Sequence, residues 1–581
     1  MLKKLAACVR EYKKASLLAP LFVSLEVILE VIIPFLMAFL IDKGVDKGNM
    51  GYILKMGALI ILCCVASLVC GALSGKYAAR ASTGFAKNLR HDMYHNVQNF
   101  SFSNIDRFST SSLVTRMTTD VSNVQNAYMM IVRVAVRSPM MMICAMIMSF
   151  NISVKLALVF VCVLPFLAAV IFGIAIKAHP TFERVFKTYD KLNNVVGENL
   201  SGIRVVKSFV REEHEKEKFG NISEDIYKDF TKAEKLLDFN NPAMMTASYT
   251  CMLLVCWLGA KMIVNSGATT MTTGLLTSFI SYSMQILMSL MMFSMVFVMI
   301  IIARSSAERI TEVLSENSDL TNPENPVFEV ADGSVKFEDV NFSYSKKKKK
   351  PAISDVNLDI KSGETIGIIG GTGSSKSTLV SLIPRLYDVT DGRVLVGGRD
   401  VREYDIQTLR DSVAMVLQKN VLFSGTIKEN LRWGNKDATD EEIKHACVLA
   451  CADEFVSAFP DGYDTYIEQG GTNVSGGQKQ RLCIARALLK KPKILILDDS
   501  TSAVDTKTDA IIRKAFKEEI PDTTKFIIAQ RISSVQDADR TIVLEGGRVV
   551  DFGSHEELLS RCDIYREVYE SQVKGDEENG K

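Results

Sequence analysis

Residues 370 to 378 read GGTGSSKST; they continue the apolar segment TIGIIG and are followed by LVSLIPRL. A buried strand, a glycine-rich loop and a helix in this order are the context of the phosphate-binding loop G-x-x-x-x-G-K-[ST]. Gly370, Lys376 and Ser377 fit that pattern, but Ser375 stands where the pattern has its second glycine. The stretch therefore predicts an α/β P-loop domain and raises the question of whether its nucleotide site works.

The chemistry of a phosphate loop is largely retained in this segment. Successive backbone N–H groups and the helix N-terminus point at phosphate oxygens. Lys376 would add a point charge and Ser377 a hydroxyl ligand for Mg²⁺. Ser375 adds a Cβ where glycine allows close approach, yet it keeps its own N–H, so we expect weakened binding. The predicted nucleotide contacts are Gly370, Gly371, Thr372, Gly373, Ser374, Ser375, Lys376, Ser377 and Thr378. Standing alone, the segment would also fit an incidental turn rich in glycine and serine.

The composition of the whole chain excludes a single soluble domain. Its 581 residues are 48% hydrophobic, which is too long and too apolar for one such domain. A net charge of +1 provides no basic field, so no nucleic-acid partner is predicted. Most of the cysteines lie in apolar runs, where a thiol behaves as a small hydrophobe, and no disulfide framework is expected.

Long apolar runs predict a multi-pass membrane domain in contact with membrane lipid. A bilayer crossing takes about 20 helical residues, and six runs reach that length. The predicted spans are 16 to 41, 54 to 75, 134 to 151, 154 to 177, 243 to 265 and 274 to 303. The preceding segment, residues 1 to 15, is basic and amphipathic, which favours an interfacial helix over a signal peptide.

The distribution of basic residues predicts the orientation of these spans. The connection from 76 to 133 is rich in lysine and arginine, whereas the loop DKGVDKGNMGY between the first two spans is short and charge-balanced. Cytoplasmic connections carry the excess of positive charge. The long connections and both termini are therefore expected in the cytoplasm, and the protein in the plasma membrane.

Four domain boundaries follow from the changes in pattern. The membrane domain is predicted over 16 to 310, and a polar, proline-containing linker (SENSDLTNPENP) over 311 to 333. The α/β domain follows over 334 to 572, and an acidic polar tail over 573 to 581. Six membrane spans joined to one P-loop domain are thus the expected architecture.

Further motifs of the α/β domain occur in a characteristic order. The strand KILILDDS presents Asp498, the usual second Mg²⁺ partner in P-loop enzymes, and it follows AMVLQKNVLFSGTIKENL and NVSGGQKQR. In this order the motifs resemble the ATP-binding cassette (ABC) family. The resemblance implies that Tyr344 stacks on adenine, that Gln418 is the Q-loop glutamine and Mg²⁺ ligand, and that SAVD at 502 to 505 is the D-loop. It also implies a signature motif made of Ser475, Gly476, Gly477 and Gln478.

The resemblance extends into the membrane half. Three segments there, FSTSSLVTRMTTDVSNVQ, NLSGIRVVKSFVREEHEKEKF and SSAERITEVL, resemble the coupling regions of six-span ABC exporters. The implied fold is that of a type IV exporter, an α-helical membrane domain fused to an α/β nucleotide-binding domain. The implied cofactors are ATP and Mg²⁺.

Two residues depart from the family pattern at positions that the resemblance identifies as catalytic. Asp499 follows the Mg²⁺ aspartate where hydrolysing members carry glutamate, and a carboxylate retracted by about 1 Å positions water poorly. Gln530 stands where the family has its switch histidine, and its amide cannot carry an imidazolium charge. We expect this site to bind Mg-ATP and to hydrolyse it slowly.

The altered catalytic positions predict a particular kind of partner subunit. In the family, each ATP is held by the loop of one chain and the signature of the other, so Ser375, Asp499 and Gln530 impair one site while the signature serves the opposite one. The expected partner is a second half-transporter with glutamate and histidine at the two catalytic positions. A slow homodimer and an ATP-gated sensor or channel remain alternatives, and drugs, lipids and peptides all remain possible substrates.

Three features outside the cassette motifs carry open interpretations. Glu26 and Glu30 lie one turn apart in the first span, where they either attract cationic substrates or serve a structural role in a hydrated cavity. The lysine run 346 to 350 favours solvated surface. A methionine stripe follows the sixth span and suits either a promiscuous cavity or ordinary packing. Its members are Met284, Met288, Met291, Met292, Met295 and Met299.

Overall fold

The computed structural model describes residues 1 to 267, 269 to 344, 351 to 499 and 504 to 579. The side chains of 171, 172, 175, 178, 179, 182, 183, 186, 190 and 573 to 579 are outside this description. Residues 502 and 503 of the predicted D-loop and the lysine run 346 to 350 also lie outside it. The chain divides into two compact units, one made of Met1–Gln98 and Thr110–Glu316, the other of Asn99–Ser109 and Asn317–Lys581.

The chain up to residue 316 is helical. Its α-helices are α1 (Leu2–Ala7), α2 (Lys13–Leu40), α3 (Met50–Gln98), α4 (Phe102–Arg107), α5 (Thr110–Thr115), α6 (Val121–Ile152), α7 (Val154–Ser201), α8 (Ile203–Ser208), α9 (Glu212–Asp238), α10 (Asn240–Ser266) and α11 (Thr273–Ser315). Several of them continue far beyond the apolar runs, and α11 ends inside the segment predicted as linker. All except α4 belong to the first unit.

Five helical stretches of the described chain are long and apolar enough to cross a membrane. They are Arg10–Val45, Met50–Gln98, Thr110–Ile152, Glu212–Ser266 and Thr273–Ser315. The predicted fourth span, 154 to 177, begins α7, of which Val154–Val170 forms a shorter apolar stretch. Residues 171, 172 and 175 of that span lie outside the described side chains, which is why the count is five where the sequence predicts six.

Small residues allow α2 and α3 to pack closely in the first unit. Ser67, Ser74 and Ala78 are buried at helical spacing on α3, and Ser74 Oγ donates to the Ala19 carbonyl of α2 at 3.2 Å. Side chains without bulk let helix backbones approach within a membrane. A Cβ on Gly71 would lie 3.0 Å from Glu26 Oε1, so this groove is also where an acidic side chain of α2 lies.

A parallel sheet forms the centre of the second unit. Its strands are β3 (Thr365–Gly370), β6 (Val413–Val416), β9 (Ile494–Asp498), β10 (Thr524–Ile528), β11 (Arg540–Glu545) and β12 (Arg548–Gly553), in the order β12-β11-β3-β10-β9-β6. Only β12 is antiparallel to its neighbour. Strands β9 and β10 are buried throughout, because a parallel sheet is covered on both faces. The carboxyl ends of β3 and β9 lead into the phosphate loop and the paired aspartates.

A second, antiparallel sheet lies beside it in the order β2-β1-β4-β5. Its strands are β1 (Val335–Phe342), β2 (Ile353–Ile360), β4 (Asp391–Val396) and β5 (Arg399–Asp400), and β7 (Gly425–Thr426) pairs with β8 (Tyr466–Ile467). The remaining helices are α12 (Lys376–Ser381), α13 (Ile406–Ser412), α14 (Ile427–Leu431), α15 (Asp440–Leu449), α16 (Asp453–Ser457), α17 (Gly476–Leu489), α18 (Thr506–Glu519), α19 (His555–Arg561) and α20 (Asp563–Asn579). The last helix includes part of the predicted acidic tail.

Helix α4 is part of the second unit although it is flanked in sequence by membrane helices. Ser101 and Asn104 form a capping box at its start. Tyr387 Oη donates to Asp106 Oδ2 at 2.7 Å, and the Tyr387 ring meets Phe102 edge to face with centroids 6.0 Å apart. The segment Asn99–Ser109 is therefore attached to the cassette by a charged hydrogen bond and an aromatic contact.

Candidate nucleotide site

The predicted phosphate loop connects β3 to the short helix α12, which begins at Lys376. Lys376 Nζ donates to the carbonyl oxygens of Gly370 at 2.7 Å and Gly371 at 3.0 Å, so the loop is closed by its own lysine. Burial lowers the pKa of Lys376, against the opposing influence of the Asp499 and Asp498 carboxylates. The ammonium is thus held at the loop, partly desolvated, where it can contact phosphate.

Ser375 occupies a conformation that suits glycine. Its φ is +70° and its ψ is 27°, in the left-handed region, which costs a residue with a Cβ about 1 kcal/mol. The preceding Ser374 is only 5% exposed, and its hydroxyl has no partner among the described residues. The loop therefore holds its glycine-like shape around a serine, and it presents an unsatisfied hydroxyl next to it.

Oxygen donors meet at the end of β9. Ser377 Oγ donates to Asp498 Oδ1 at 2.9 Å, and Asp498 is 5% exposed. Burial and then the neighbouring Asp499 raise the pKa of Asp498, while the Ser377 hydrogen bond and Lys376 lower it. A hydroxyl and a carboxylate are hard oxygen donors of the kind that Mg²⁺ prefers, so the two residues fit the cation that the sequence predicts.

The two residues that depart from the family pattern contact each other. Gln530 Nε2 donates to Asp499 Oδ2 at 2.8 Å, and Gln418 Nε2 lies 3.4 Å from the same oxygen. Asp499 has a φ of +48°, and its N–H donates to the Ile528 carbonyl at 3.1 Å. The structure therefore brings Gln418, Asp499 and Gln530 together around one carboxylate oxygen.

Tyr344, the predicted adenine contact, lies against the start of the loop helix. Its Oη is 2.9 Å from Thr378 Oγ1, while its side chain remains 52% exposed. Phe342 and Tyr387 contact its ring edge to face, with centroids 4.8 and 5.2 Å away. An exposed ring that is held by edge-to-face contacts with two aromatic side chains can offer one face to a base.

The signature segment is positioned by a helix start. Ser475 caps α17, because its hydroxyl accepts the Gln478 N–H at 3.3 Å while Gln478 Oε1 accepts the Ser475 N–H at 2.9 Å. Gly476 and Gly477 form the first turn. Among the described residues, no hydrogen bond connects Ser475–Gln478 to the phosphate loop of the same chain, so the structure does not unite the signature with the other predicted contacts.

Two residues that carry important contacts were not predicted from the sequence. Tyr387 supports Tyr344 and holds α4, and it gave no signal beyond an aromatic residue after the loop helix. Arg137 lies inside the predicted span 134 to 151 and donates to both Glu26 and Glu30. An arginine in an apolar run is itself a signal. One guanidinium thus binds both carboxylates, which supports a structural role for the pair, and the attraction of cationic substrates stays a prediction.

The features described above define a membrane transporter energised by a P-loop cassette. The model of the ABC transporter transmembrane region matches residues 17–290, and that of the ABC transporter matches 353–502. The chain belongs to the ABC transporter family. It is a multi-pass membrane protein with a cytoplasmic ATP-binding domain.

Individual relatives support this assignment along nearly the whole chain. An uncharacterized ABC transporter ATP-binding protein, YfiB of Bacillus subtilis (strain 168), is 36% identical over 89% of both chains. A fatty acid ABC transporter ATP-binding/permease protein of Mycobacterium bovis is 35% identical over 83% of this chain and 75% of its own. A solved bacterial Atm1-family ABC exporter with ATP bound has a TM-score of 0.81 at 24% identity, covering 97% of this chain and 98% of that one. The predicted exporter fold is thus confirmed.

Proposed function

We propose that this chain is one half of a heterodimeric exporter and that its own ATP site binds Mg-ATP but hydrolyses it slowly. ATP drives such a cycle because it binds the closed pair of cassettes more tightly than the open pair. Hydrolysis then takes place at the partner's loop, completed by Ser475–Gln478 of this chain. The partner carries glutamate and histidine where this chain has Asp499 and Gln530.

The observation that carries this proposal is the set of contacts made by the Asp499 carboxylate. One of its oxygens accepts the Gln530 amide at 2.8 Å and is within 3.4 Å of the Gln418 amide. A general base must reach the attacking water, and an aspartate is one methylene shorter than the family's glutamate. A short side chain already engaged by an amide is a poor base, and a neutral glutamine adds no positive charge to the transition state.

The retained binding groups support the other half of the proposal. Lys376 closes the loop, Ser377 and Asp498 form an oxygen pair for Mg²⁺, and the Tyr344 ring is exposed for stacking. Ser375 adopts the backbone shape of the glycine it replaces and keeps its N–H. These groups favour a site that holds nucleotide for long periods and contributes to dimer closure.

The proposed substrates are amphipathic small molecules, lipids or peptides. Support comes from a cavity of about 470 Å³ in the membrane unit, where Met284, Met288 and Met292 of α11 line one wall with Met141. Flexible, polarizable methionines adapt to apolar ligands of different shape. The M. bovis relative named as a fatty acid transporter is consistent with an amphiphile.

Nucleotide retention tests the proposal directly. The chain is co-expressed with the partner half-transporter, allowed to turn over labelled ATP, and washed rapidly before the nucleotide bound at its own loop is identified by crosslinking and chromatography. We expect intact ATP at this loop and ADP at the partner's loop. Mainly ADP at this loop would show that Asp499 supports hydrolysis, and the proposed division of roles would be wrong.

A further inference from the structure

Four charged side chains lie among the apolar helices of the first unit, in two pairs with one-turn spacing. Glu26 and Glu30 are on α2, and Arg133 and Arg137 are on α6. Arg137 Nη1 donates to Glu26 Oε1, and its Nη2 donates to the two Glu30 oxygens at 2.9 and 2.8 Å. One guanidinium therefore serves two carboxylates, while Arg133 has no partner among the residues described.

A cavity of about 660 Å³ adjoins this cluster. Glu26, Glu30 and Arg133 line it together with small residues of α3, among them Ser67, Gly71 and Gly75. Glu26 is 8% exposed, and its second oxygen, Oε2, has no partner in the described part of the chain. The cavity is thus lined by a carboxylate with a buried, unsatisfied oxygen and by a guanidinium that has no partner in the described part of the chain.

The glycines of α3 place these two groups relative to each other. A Cβ on Gly71 would lie 3.0 Å from Glu26 Oε1, and a Cβ on Gly75 would lie 3.8 Å from Arg133 Nη1. Residues four apart on a helix are separated by about 6 Å along its axis. The carboxylate and the guanidinium therefore lie on one wall, about one helical turn apart.

The balance of charges decides which ligand fits. The four side chains contain two carboxylates and two guanidinium groups, so the cluster is neutral as a whole. A singly charged ligand would leave a net charge among apolar helices, which is costly. A ligand with an ammonium group and an anionic group on a short linker can pair with the Glu26 carboxylate and Arg133 together, and guanidinium binds phosphate or carboxylate with two parallel hydrogen bonds.

The neighbouring cavity suits the apolar remainder of such a ligand. Glu30 and Ile33 line both cavities, so the methionine-lined space begins directly beside the charged wall. Ser138 also faces that space, 2% exposed, with no partner for its hydroxyl among the described residues. The charged cavity therefore suits the head group of an amphiphile, and the methionine-lined cavity suits its apolar part.

We propose that the cavity between α2, α3 and α6 binds the zwitterionic head group of an amphiphile, with its ammonium group at Glu26 and its phosphate or carboxylate at Arg133. This inference rests on the proposed transport function and names the substrate class for it. The shared chemistry is that of a phosphoethanolamine group, which occurs on membrane lipids and on soluble glycerophosphoethanolamine.

Binding of short-chain phosphatidylethanolamine to the purified full-length chain in detergent tests the proposal without ATP turnover. We expect Arg133→Gln to weaken this binding by about tenfold or more, because a charge-assisted hydrogen bond is lost. Arg133→Lys keeps the charge but not the paired donors, so its affinity should lie between those of the unmodified chain and Arg133→Gln. Phosphatidylglycerol, which lacks the ammonium group, should bind more weakly than phosphatidylethanolamine to the unmodified chain.

A matched pair of glycine variants on α3 tests the carboxylate side. Gly71→Ala pushes a methyl group against Glu26, whereas Gly57→Ala meets nothing within 4 Å. We expect the first to weaken phosphatidylethanolamine binding and the second to leave it unchanged, with both variants eluting as folded protein in size exclusion. Competition by glycerophosphoethanolamine at equal concentration would assign a soluble ligand, and its failure a membrane lipid; either result supports the head-group site.

Equal binding by Arg133→Gln and the unmodified chain would overturn the inference. So would equal binding of phosphatidylglycerol, or of a cationic amphiphile without an anionic group. These outcomes are distinct from failure of the proposed function, because lipid binding is measured without nucleotide. Conversely, finding ADP at the Ser375 loop would remove the heterodimer mechanism and leave the head-group measurement intact.

Discussion

Asp499 and Lys376 have different tasks in the proposed nucleotide site. Lys376 is held at the loop by two carbonyl oxygens, and Asp499 accepts a hydrogen bond from Gln530. In the proposed function, Lys376 supplies positive charge to bound phosphate and Asp499 is a base too short for rapid hydrolysis. If this site only binds ATP, removal of the lysine weakens closure of the dimer, while removal of the aspartate changes little. Substitutions at these two residues therefore distinguish ATP binding from ATP hydrolysis.

We predict that the heterodimer retains most of its ATPase activity and efflux when Asp499→Ala is introduced. Lys376→Ala should cause an intermediate loss, because the point charge on the phosphates disappears while the chemistry at the partner's loop is untouched. Steady-state ATPase activity and substrate efflux are measured on the same reconstituted dimer. If Asp499→Ala lowered ATPase activity and efflux as much as Ser475→Ala in the signature does, this chain would hydrolyse its own ATP.

Ser375→Gly is predicted to raise ATP affinity with little change in stability. Glycine removes the left-handed strain at φ +70°, but it also gives the unfolded chain more conformational freedom, and each effect is about 1 kcal/mol. The free energy of unfolding should therefore change little, whereas removal of the Cβ admits phosphate more closely. Calorimetry of unfolding and ATP titration are the measurements, and an unchanged dissociation constant would contradict the steric role of Ser375.

At the scale of single elements, the first residue of the signature, Ser475, has two roles at the start of helix α17, one structural and one proposed to be functional. Ser475 caps the helix by accepting the Gln478 N–H, and the family resemblance assigns the same hydroxyl to the γ-phosphate on the partner's loop. A loss of activity after substitution could thus come from either role. Helix α15 provides a comparison, because Thr439 and Glu442 form an equivalent capping box.

We predict that Ser475→Ala lowers stability by about 1 kcal/mol, as loss of a cap does, and lowers heterodimer ATPase activity by about 10²-fold or more, as loss of a transition-state donor does. Ser475→Asp should keep the cap and still lose activity, because its carboxylate repels phosphate. Thr439→Ala should lose similar stability and keep its activity. Thermal unfolding and ATPase assays on the three variants distinguish these effects; normal turnover by the aspartate variant would exclude Ser475 from the partner's site.

At the scale of the whole molecule, the chain contributes one set of loop residues and one signature to a dimer. Within the described part of the single chain, no hydrogen bond joins Ser475–Gln478 to the phosphate loop, and the proposed function assigns the two halves of a complete site to different subunits. A homodimer would have two sites with Asp499 and Gln530. A heterodimer would have one such site and one with the partner's own catalytic residues.

We therefore predict that the chain purified alone has little ATPase activity and that co-expression with its partner half-transporter restores it. The physical reason is that every site of the homodimer lacks a base of full length. Activity is compared at equal protein concentration in the same lipid. Vigorous turnover by the single chain would support a homodimeric exporter, and nucleotide-dependent conductance without efflux would support an ATP-gated channel.

Local patterns were sufficient to predict both parts of the fold. The strand TIGIIG followed by a glycine-rich loop predicted β3, the loop and the helix that begins at Lys376, because that arrangement depends on neighbours in sequence. Apolar runs of span length predicted the membrane helices for the same reason. The helix after the loop is shorter than the apolar pattern suggests and ends at Ser381, since Pro384 has no N–H to continue it.

The sequence by itself determined the family, the membrane and cassette architecture, and the two departures at Asp499 and Gln530, because each depends on residue type at a fixed spacing. Only the tertiary structure decided that Gln530 and Gln418 converge on one Asp499 oxygen, and that Arg137 binds Glu26 and Glu30. These contacts join residues 31 to 111 positions apart. Hydrogen bonds and ion pairs depend on distances of a few ångströms, which are set by the packing of strands and helices and leave no period in the sequence.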